Sequence, residues 1–326
     1  MYPKIYCLAI LLLLMSLPAR ALDVLLIQSY HAGFEWDRNY IAGLEATLGD
    51  EYNLSRFEMD TKRLPEQVFD RQADKAFSFY RSQRPDIVVL GDDNALKYML
   101  PRLYNEPISI VFLGVNANPR RLLAEYSGQA KVTGVLELPL FVRNMREISM
   151  LMGKRNIRVK VMFDSGVTSQ IAADYIMRQY EQIRLSLGIE IDITHASTFD
   201  GWQREIQSAF EEEFDAIIVG LYQTLVDRAG NNVAANQVLS WTNQHAALPL
   251  FGFWDFAVGK GKTAGGVVLF GYAQGQHAAQ LVEKIAQGED ASTIPIQIGR
   301  QGRAIYSTYE MSRWSLTPSS RWQAID

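Results

Sequence analysis

From Asp23 onward, short apolar runs alternate with longer segments whose apolar positions recur every three or four residues. The short runs are Val24–Gln28, Leu54–Met59, Ile87–Leu90, Ile108–Leu113, Val132–Leu136, Val159–Phe163, Ile189–Thr194, Ala216–Val219, Leu250–Phe253 and Val267–Phe270. Most are continuous Val, Ile, Leu or Phe, the pattern of parallel strands covered on both faces. Between them, Tyr40, Ile41, Leu44 and Leu48 form one helical stripe, with Asp37 as its expected N-cap. Val68, Phe69, Ala73, Ala76, Phe77 and Tyr80 form another, opened by Pro65. Ala95–Leu100 and the stretches 139–152, 167–187, 200–213, 231–246 and 273–287 read as further helices. Strand and helix alternate at βαβ spacing, which predicts an α/β fold of doubly wound parallel sheets.

Ten strands are many for one such sheet, and 326 residues are enough for two domains at roughly 100–200 residues each. Turn signals interrupt the pattern between Asn116 and Val132, where Asn118-Pro119 and Ser127-Gly128 fall, and again at 247–250. Neither place carries a low-complexity linker. Short crossings between two α/β lobes predict a hinge rather than beads on a string.

The first residues, Met1 to Ala21, depart from this pattern. Lys4 precedes the apolar run Ile5–Leu17, and Ala19-Arg20-Ala21 offers a small-x-small cleavage site. This is the layout of a secretory signal peptide, and the run is shorter than the roughly 20 residues that cross a bilayer. Cys7 is the only cysteine, so cleavage after Ala21 leaves a chain without thiol chemistry or disulfides. The formal net charge of −4 supplies no basic excess for a phosphate backbone, which argues against nucleic acid as a partner.

In open α/β sheets ligands bind beyond the carboxyl ends of the strands. There the chain places Ser29, Tyr30, His31 and Trp36, then Asp93 and Asn94, then Asn116. Later strand ends supply Asp164 and Ser165, Tyr222, Trp254 and Asp255, and Tyr272. Hydroxyl, carboxylate, amide and aromatic groups recurring at strand ends are what a small-molecule cleft needs. Catalytic patterns are missing. Ser29 has no G-x-S-x-G elbow, and His31, His195, His245 and His277 show no metal-ligand spacing. Gly261-Lys262-Thr263 mimics the end of a phosphate loop, but Phe256 stands where its first glycine belongs. Neither an enzymatic activity nor a metal or cofactor is expected.

Several of these segments occur in an order that resembles a known family. They are Ser29-Tyr30-His31-x-Gly33-Phe34-x-Trp36, Asp92-Asp93-Asn94-Ala95, Gly114-Val115-Asn116, Thr133-Gly134-Val135 and Phe253-Trp254-Asp255-Phe256-x-Val258-Gly259. Gly265-Gly266-Val267-Val268, Gly271-Tyr272 and Gln274-Gly275 complete the series. Over about residues 23–307 the chain resembles the ABC transporter substrate-binding family with the type I periplasmic-binding-protein fold. Its nearest branch includes extracytoplasmic sensor domains. The resemblance implies two Rossmann-like lobes joined by a hinge, closing on a solute. Lobe 1 would take 22–118 and 248–290, and lobe 2 would take 119–247 and 291–326. It implies a periplasmic receptor that delivers a small solute to an ABC permease. The alternative is a ligand sensor partnering a membrane histidine kinase or cyclic-dinucleotide enzyme. Neighbouring permease and ATPase genes would favour the first. Carboxylates beside aromatics favour a zwitterionic or cationic solute, or an aromatic one, over an anion.

Overall fold

The computed structural model describes residues 21–154, 156–299 and 302–326. The segment read as a signal peptide lies outside the described residues, apart from Ala21. Among the described residues no helix is long and apolar enough to cross a membrane.

Each of the ten apolar runs becomes a strand: β1 (Leu22–Gln28), β2 (Tyr52–Glu58), β3 (Ile87–Gly91), β4 (Ser109–Val115), β5 (Lys131–Glu137), β6 (Arg158–Asp164), β7 (Glu190–Ala196), β8 (Ala216–Val219), β9 (Leu250–Gly252) and β10 (Gly265–Leu269). Three short strands follow, β11 (Gln297–Gly299), β12 (Gly302–Tyr306) and β13 (Gln323–Ala324). They build two sheets. One has the order β11-β5-β4-β3-β1-β2, and the other β13-β12-β10-β9-β8-β6-β7. The first is parallel throughout. In the second, only the β10–β12 pair is antiparallel.

Each sheet repeats one winding. The run β2-β1-β3-β4-β5 in the first matches β7-β6-β8-β9-β10 in the second. In each the chain reverses direction of growth beside its first strand, the switch point where such sheets hold ligands. Sheet membership corrects the lobe boundaries expected from turn signals. Residues 119–137 stay in lobe 1, because β5 pairs with β4 in parallel register. Residues 250–269 belong to lobe 2, because β9 pairs with β8 and β10 with β9. β11 returns to lobe 1 beside β5, and β12 goes back to lobe 2. The chain therefore crosses three times: after β5, after β10, and between β11 and β12. Asn118-Pro119 only turns the chain into a short helix within lobe 1.

The helices of lobe 1 are α1 (Glu35–Leu48), α2 (Phe69–Gln83), α3 (Asp92–Leu103) and α4 (Arg120–Glu125). Lobe 2 holds α5 (Phe141–Met152), α6 (Val167–Met177), α7 (Tyr180–Leu187), α8 (Phe199–Ser208) and α9 (Ala235–His245). After the second crossing comes α10 (Gly271–Ala286), and near the end α11 (Thr308–Arg313). The stripe of α1 is buried as its spacing predicts, and Trp36 joins Tyr40, Ile41, Leu44 and Leu48. Each such side chain contributes about 1.5–3 kcal/mol on burial.

Asp37 does not cap α1. The helix starts two residues earlier, and the Asp37 carboxylate is buried, accepting from Gln28 Nε2 at 3.0 Å. The single helix expected over 167–187 is two, α6 and α7, separated at Arg178 and Gln179. α10 packs on α1 at backbone distance. A Cβ on Gly43 would stand 2.1 Å from the Tyr272 carbonyl oxygen, and one on Gly275 1.9 Å from that of Tyr40. Only glycine permits that approach. Through this contact a helix that follows lobe 2 strands is fastened to lobe 1.

Candidate functional site

The carboxyl ends of the two sheets face each other across a cleft. On the lobe 1 side, β3 ends in a backbone reversal at Asp92, whose φ of 76° lies in the left-handed region. Such a conformation costs on the order of 1 kcal/mol for a residue with a Cβ, and such strain clusters at ligand sites. It brings the Asp92 carboxylate to Tyr30 and Trp36. The Tyr30 hydroxyl donates to Oδ1 at 2.8 Å and the Trp36 indole Nε1 to Oδ2 at 3.0 Å. Glu137, the last residue of β5, accepts from Trp254 Nε1 of lobe 2 at 2.5 Å and from Asn116 Nδ2 at 3.5 Å.

These acids are buried, so water cannot stabilise their charge. Burial raises Asp92 well above the usual carboxylate range, and the neighbouring Asp93 carboxylate adds to it. Burial does the same to Glu137, reinforced by Asp92. Asp255 is pushed up to about 7, again by burial first. Burial and then Arg63 lower His31.

A pH dependence follows. The unfolded chain releases the Asp255 proton near 3.8 and the folded chain near 7, so between these values the folded state binds more protons. The contribution of this group is full below about pH 4 and is lost as pH rises through about 7. With Asp92 shifted the same way, the melting temperature is expected to be roughly 5 °C lower at pH 8 than at pH 5. Asp92→Asn, which keeps an accepting oxygen but cannot ionise, should flatten that slope in a thermal melt. A Tm that rises over this range would show that the acids are ionised in the fold.

Besides the Trp254–Glu137 bond and the edge-on contact of Phe34 with Phe256, three further polar contacts bridge the lobes in front of this acid group. The Tyr30 hydroxyl lies 3.0 Å from Thr168 Oγ1. Asn39 Nδ2 donates to Asp255 Oδ2 at 3.3 Å, and Lys262 Nζ pairs with Glu35 Oε2 at 3.5 Å. Drawn together in this way, the lobes leave a central gap of only about 10 Å³ among Trp36, Asp92, Glu137, Trp254 and Phe256. Two larger chambers flank it. One of about 510 Å³ lies between His31, Phe34, Arg38 and Lys62 of lobe 1 and Tyr222, Gln223, Leu239 and Phe256 of lobe 2. The other, about 330 Å³, lies between Thr61, Lys62 and Asn94 and the Ser165–Thr168 turn with Thr224.

The residues expected from strand ends divide accordingly. Tyr30, Trp36, Asn116 and Trp254 border the central gap, His31 and Tyr222 the larger chamber, and Asn94 and Ser165 the smaller. Four others line none of these spaces: their hydrogen bonds hold loops in shape or, for Asp255, also reach across to lobe 1. Ser29 Oγ donates to the Gly91 carbonyl and accepts from Ala95 N, both at 2.7 Å. Asp93 accepts from Asn116 N and Ala117 N. Asp164 accepts from Ser169 Oγ, Gly166 N and Thr224 N. Asp255 is taken by Asn39 and by Phe256 N.

Tyr272 is a correction. It sits on the first turn of α10, 40% exposed, and borders none of the three spaces. The chain has already crossed back to lobe 1 there, and the packing of Gly43 against the Tyr272 carbonyl fixes that turn outside the cleft. Strand-end reasoning missed Lys62, Glu137, Phe256 and Thr168. Phe256 and Thr168 each lie four residues beyond the last residue of their strand, Gly252 and Asp164. Lys62 follows β2, whose loop reads as an ordinary polar turn.

No family model and no curated protein matches this chain. Solved structures do match. An ABC domain from Streptococcus pneumonia in complex with L-Trp superimposes with a TM-score of 0.68 at 14% identity, over 93% of this chain and 99% of that one. A conserved domain protein from Vibrio cholerae gives 0.68 at 16% identity, over 94% and 100%. An ABC transporter solute binding protein from Agrobacterium vitis with bound D-fucose gives 0.59 at 12%, over 89% and 97%.

The chain has the type I periplasmic-binding-protein fold. This architecture accounts for the three crossings and for the matched winding of the lobes. LacI-family and other transcription regulators share it, among them CcpA of Lactococcus lactis at a TM-score of 0.57. The periplasmic-binding-protein fold thus hosts both solute carriers and regulators, and the site has to choose between them.

Proposed function

We propose that this protein is an extracytoplasmic solute receptor that takes a small molecule between its lobes and presents the closed form to an ABC permease. The observation that carries the reading is the 510 Å³ chamber, walled by strand-end residues of both lobes. That size lies within the usual range of small-molecule sites. Its walls combine Phe34, Tyr222, Leu239 and Phe256 with a few polar groups, as orientation of one ligand requires. The exported reading rests on the N-terminal segment, and the permease on the likeness to ABC solute-binding structures.

Closure would follow from ligand touching both walls. A solute shifts the lobes only by its greater affinity for the closed form, which it gains by contacting lobe 2 after docking on lobe 1. A thermal-shift screen of amino acids, amines, carboxylates, nucleobases and sugars tests the reading. A true ligand at a hundredfold excess over its Kd stabilises by about 2.7 kcal/mol. A flat response to every class would remove the receptor reading.

The bridge between Tyr30 and Thr168 makes a second, separate expectation. Tyr30→Phe removes the hydroxyl that meets both Asp92 and Thr168 while keeping the ring against Phe34. The lobes of this variant should part more readily, giving a larger radius of gyration in X-ray scattering without ligand. Identical scattering curves would show that the bridge does not hold the cleft.

A further inference from the structure

Lys62 is 7% exposed and borders the central gap and both flanking chambers. Its ammonium lies 4.6 Å from the centre of the Tyr30 ring and 5.6 Å from that of Phe34. Among the described residues no carboxylate comes within 4.0 Å of it, and the buried Asp92 and Asp93 attract it only from farther off. A buried cation is costly unless an anion meets it.

The same wall holds other unanswered donors. Among the described residues Gln223 Nε2 is buried without a hydrogen-bond partner, while Gln223 Oε1 is occupied by Tyr222 N. Arg38 borders the larger chamber from an exposed position, and among the described residues its guanidinium donates only to the Gly33 carbonyl, at 3.4 Å. The other charges there are already matched. Arg63 is held by both oxygens of Asp60, and Lys262 by Glu35. The buried carboxylates nearby are taken as well: Asp92 by Tyr30 and Trp36, and Glu137 by Trp254 and Asn116.

We infer that the solute is an organic anion, a carboxylate on an aromatic or aliphatic body, whose oxygens meet Lys62 and Gln223 Nε2. The inference rests on the receptor reading and narrows it. Phe34, Tyr222, Leu239 and Phe256 would enclose the apolar body, and Arg38 would add charge at the rim. An ammonium on the ligand is not required, because no free acid waits for one in the chamber.

The test uses calorimetry on the full exported chain with matched probes: phenylacetate, indole-3-acetate and hexanoate; phenethylamine and tryptamine; L-tryptophan; and galactose. Carboxylates should bind and the amines of the same body should not. Lys62→Met should weaken the best carboxylate by about thirtyfold or more. Lys62→Arg should recover most of that loss, which a merely structural role would not predict. Circular dichroism and the melting temperature of Lys62→Met without ligand check its fold, and Lys62→Gln serves if that variant misfolds. Binding of amines or galactose with carboxylates inert, or affinity unmoved by either Lys62 variant, overturns the anion inference and leaves the receptor. Silence from every probe and from the wider solute screen overturns both.

Discussion

Replacing Gly275 by alanine is expected to destabilise the protein by about 2–3 kcal/mol, although helix propensity alone predicts a gain of about 1 kcal/mol. The sign is decided by what the new methyl group meets. Its Cβ would stand 1.9 Å from the Tyr40 carbonyl oxygen and 2.9 Å from Leu44 N. Neither neighbour is a flexible side-chain tip, so α10 must back away from α1 and open their shared interface. Gly275→Val should cost more, because a branched side chain enlarges the displacement. The midpoint of urea unfolding measures both, with the slope checked for loss of two-state behaviour. A midpoint equal to or above that of the parent chain would mean that the helices are not in backbone contact. Since α10 follows the second crossing, the loss should also loosen how the lobes are held.

Trp254→Ala is the second large effect. The indole is buried, lies parallel to Phe256 with ring centres 6.2 Å apart, and meets Phe253 edge-on at 5.8 Å. Its Nε1 also crosses from lobe 2 to Glu137 of lobe 1. Truncation therefore leaves a cavity and removes a donor from a buried carboxyl group, at a cost of about 3–5 kcal/mol. Trp254→Phe separates the two parts: it keeps most of the volume and should lose about 1–3 kcal/mol. For the solute that the screen identifies, Trp254→Ala should weaken binding by more than tenfold, because the residue borders the point where the chambers meet. Unchanged affinity in a folded variant would reduce Trp254 to a structural link at the hinge.

Both predictions turn on contacts between segments far apart in the chain, and the same divide runs through what the sequence reveals. Strand identity was legible because residues such as Ile87–Leu90 and Ala216–Val219 are apolar on both faces. Burial of that kind leaves a local mark. β11 and β13 were not legible, being three and two residues long with Gln and Gly among them. The paired lobes were legible only as a number. Asn118-Pro119 and Ser127-Gly128 look like boundaries, yet the first two crossings follow Glu137 and Leu269, where no such pair of turn residues stands.

The candidate site divides in the same way. Tyr30, Trp36 and Trp254 stood out as polar-tipped aromatics at strand ends, and each is in the cleft. Ser29, Asp93 and Asp164 carry the same kind of signal, but their hydrogen bonds tie loops together. Residue type cannot distinguish a group that caps a loop from one that faces a ligand, since both need a polar atom at a strand end. Lys62 shows the reverse. In sequence it is one polar residue among Asp60, Thr61 and Arg63, and it is buried against Tyr30 and Phe34 at the spaces between the lobes.

By itself, then, the sequence determined the α/β class, the ten principal strands and the strand ends that border the cleft between the lobes. Periodicity and burial on both faces are local properties, written in consecutive residues. The tertiary structure alone decided which sheet each strand joins, where the chain crosses, and which polar side chains are left without partners. Those depend on pairing across long separations, such as β5 with β11 and Lys62 with the ring of Tyr30. No window of sequence carries the energy of a contact whose other half lies in another lobe.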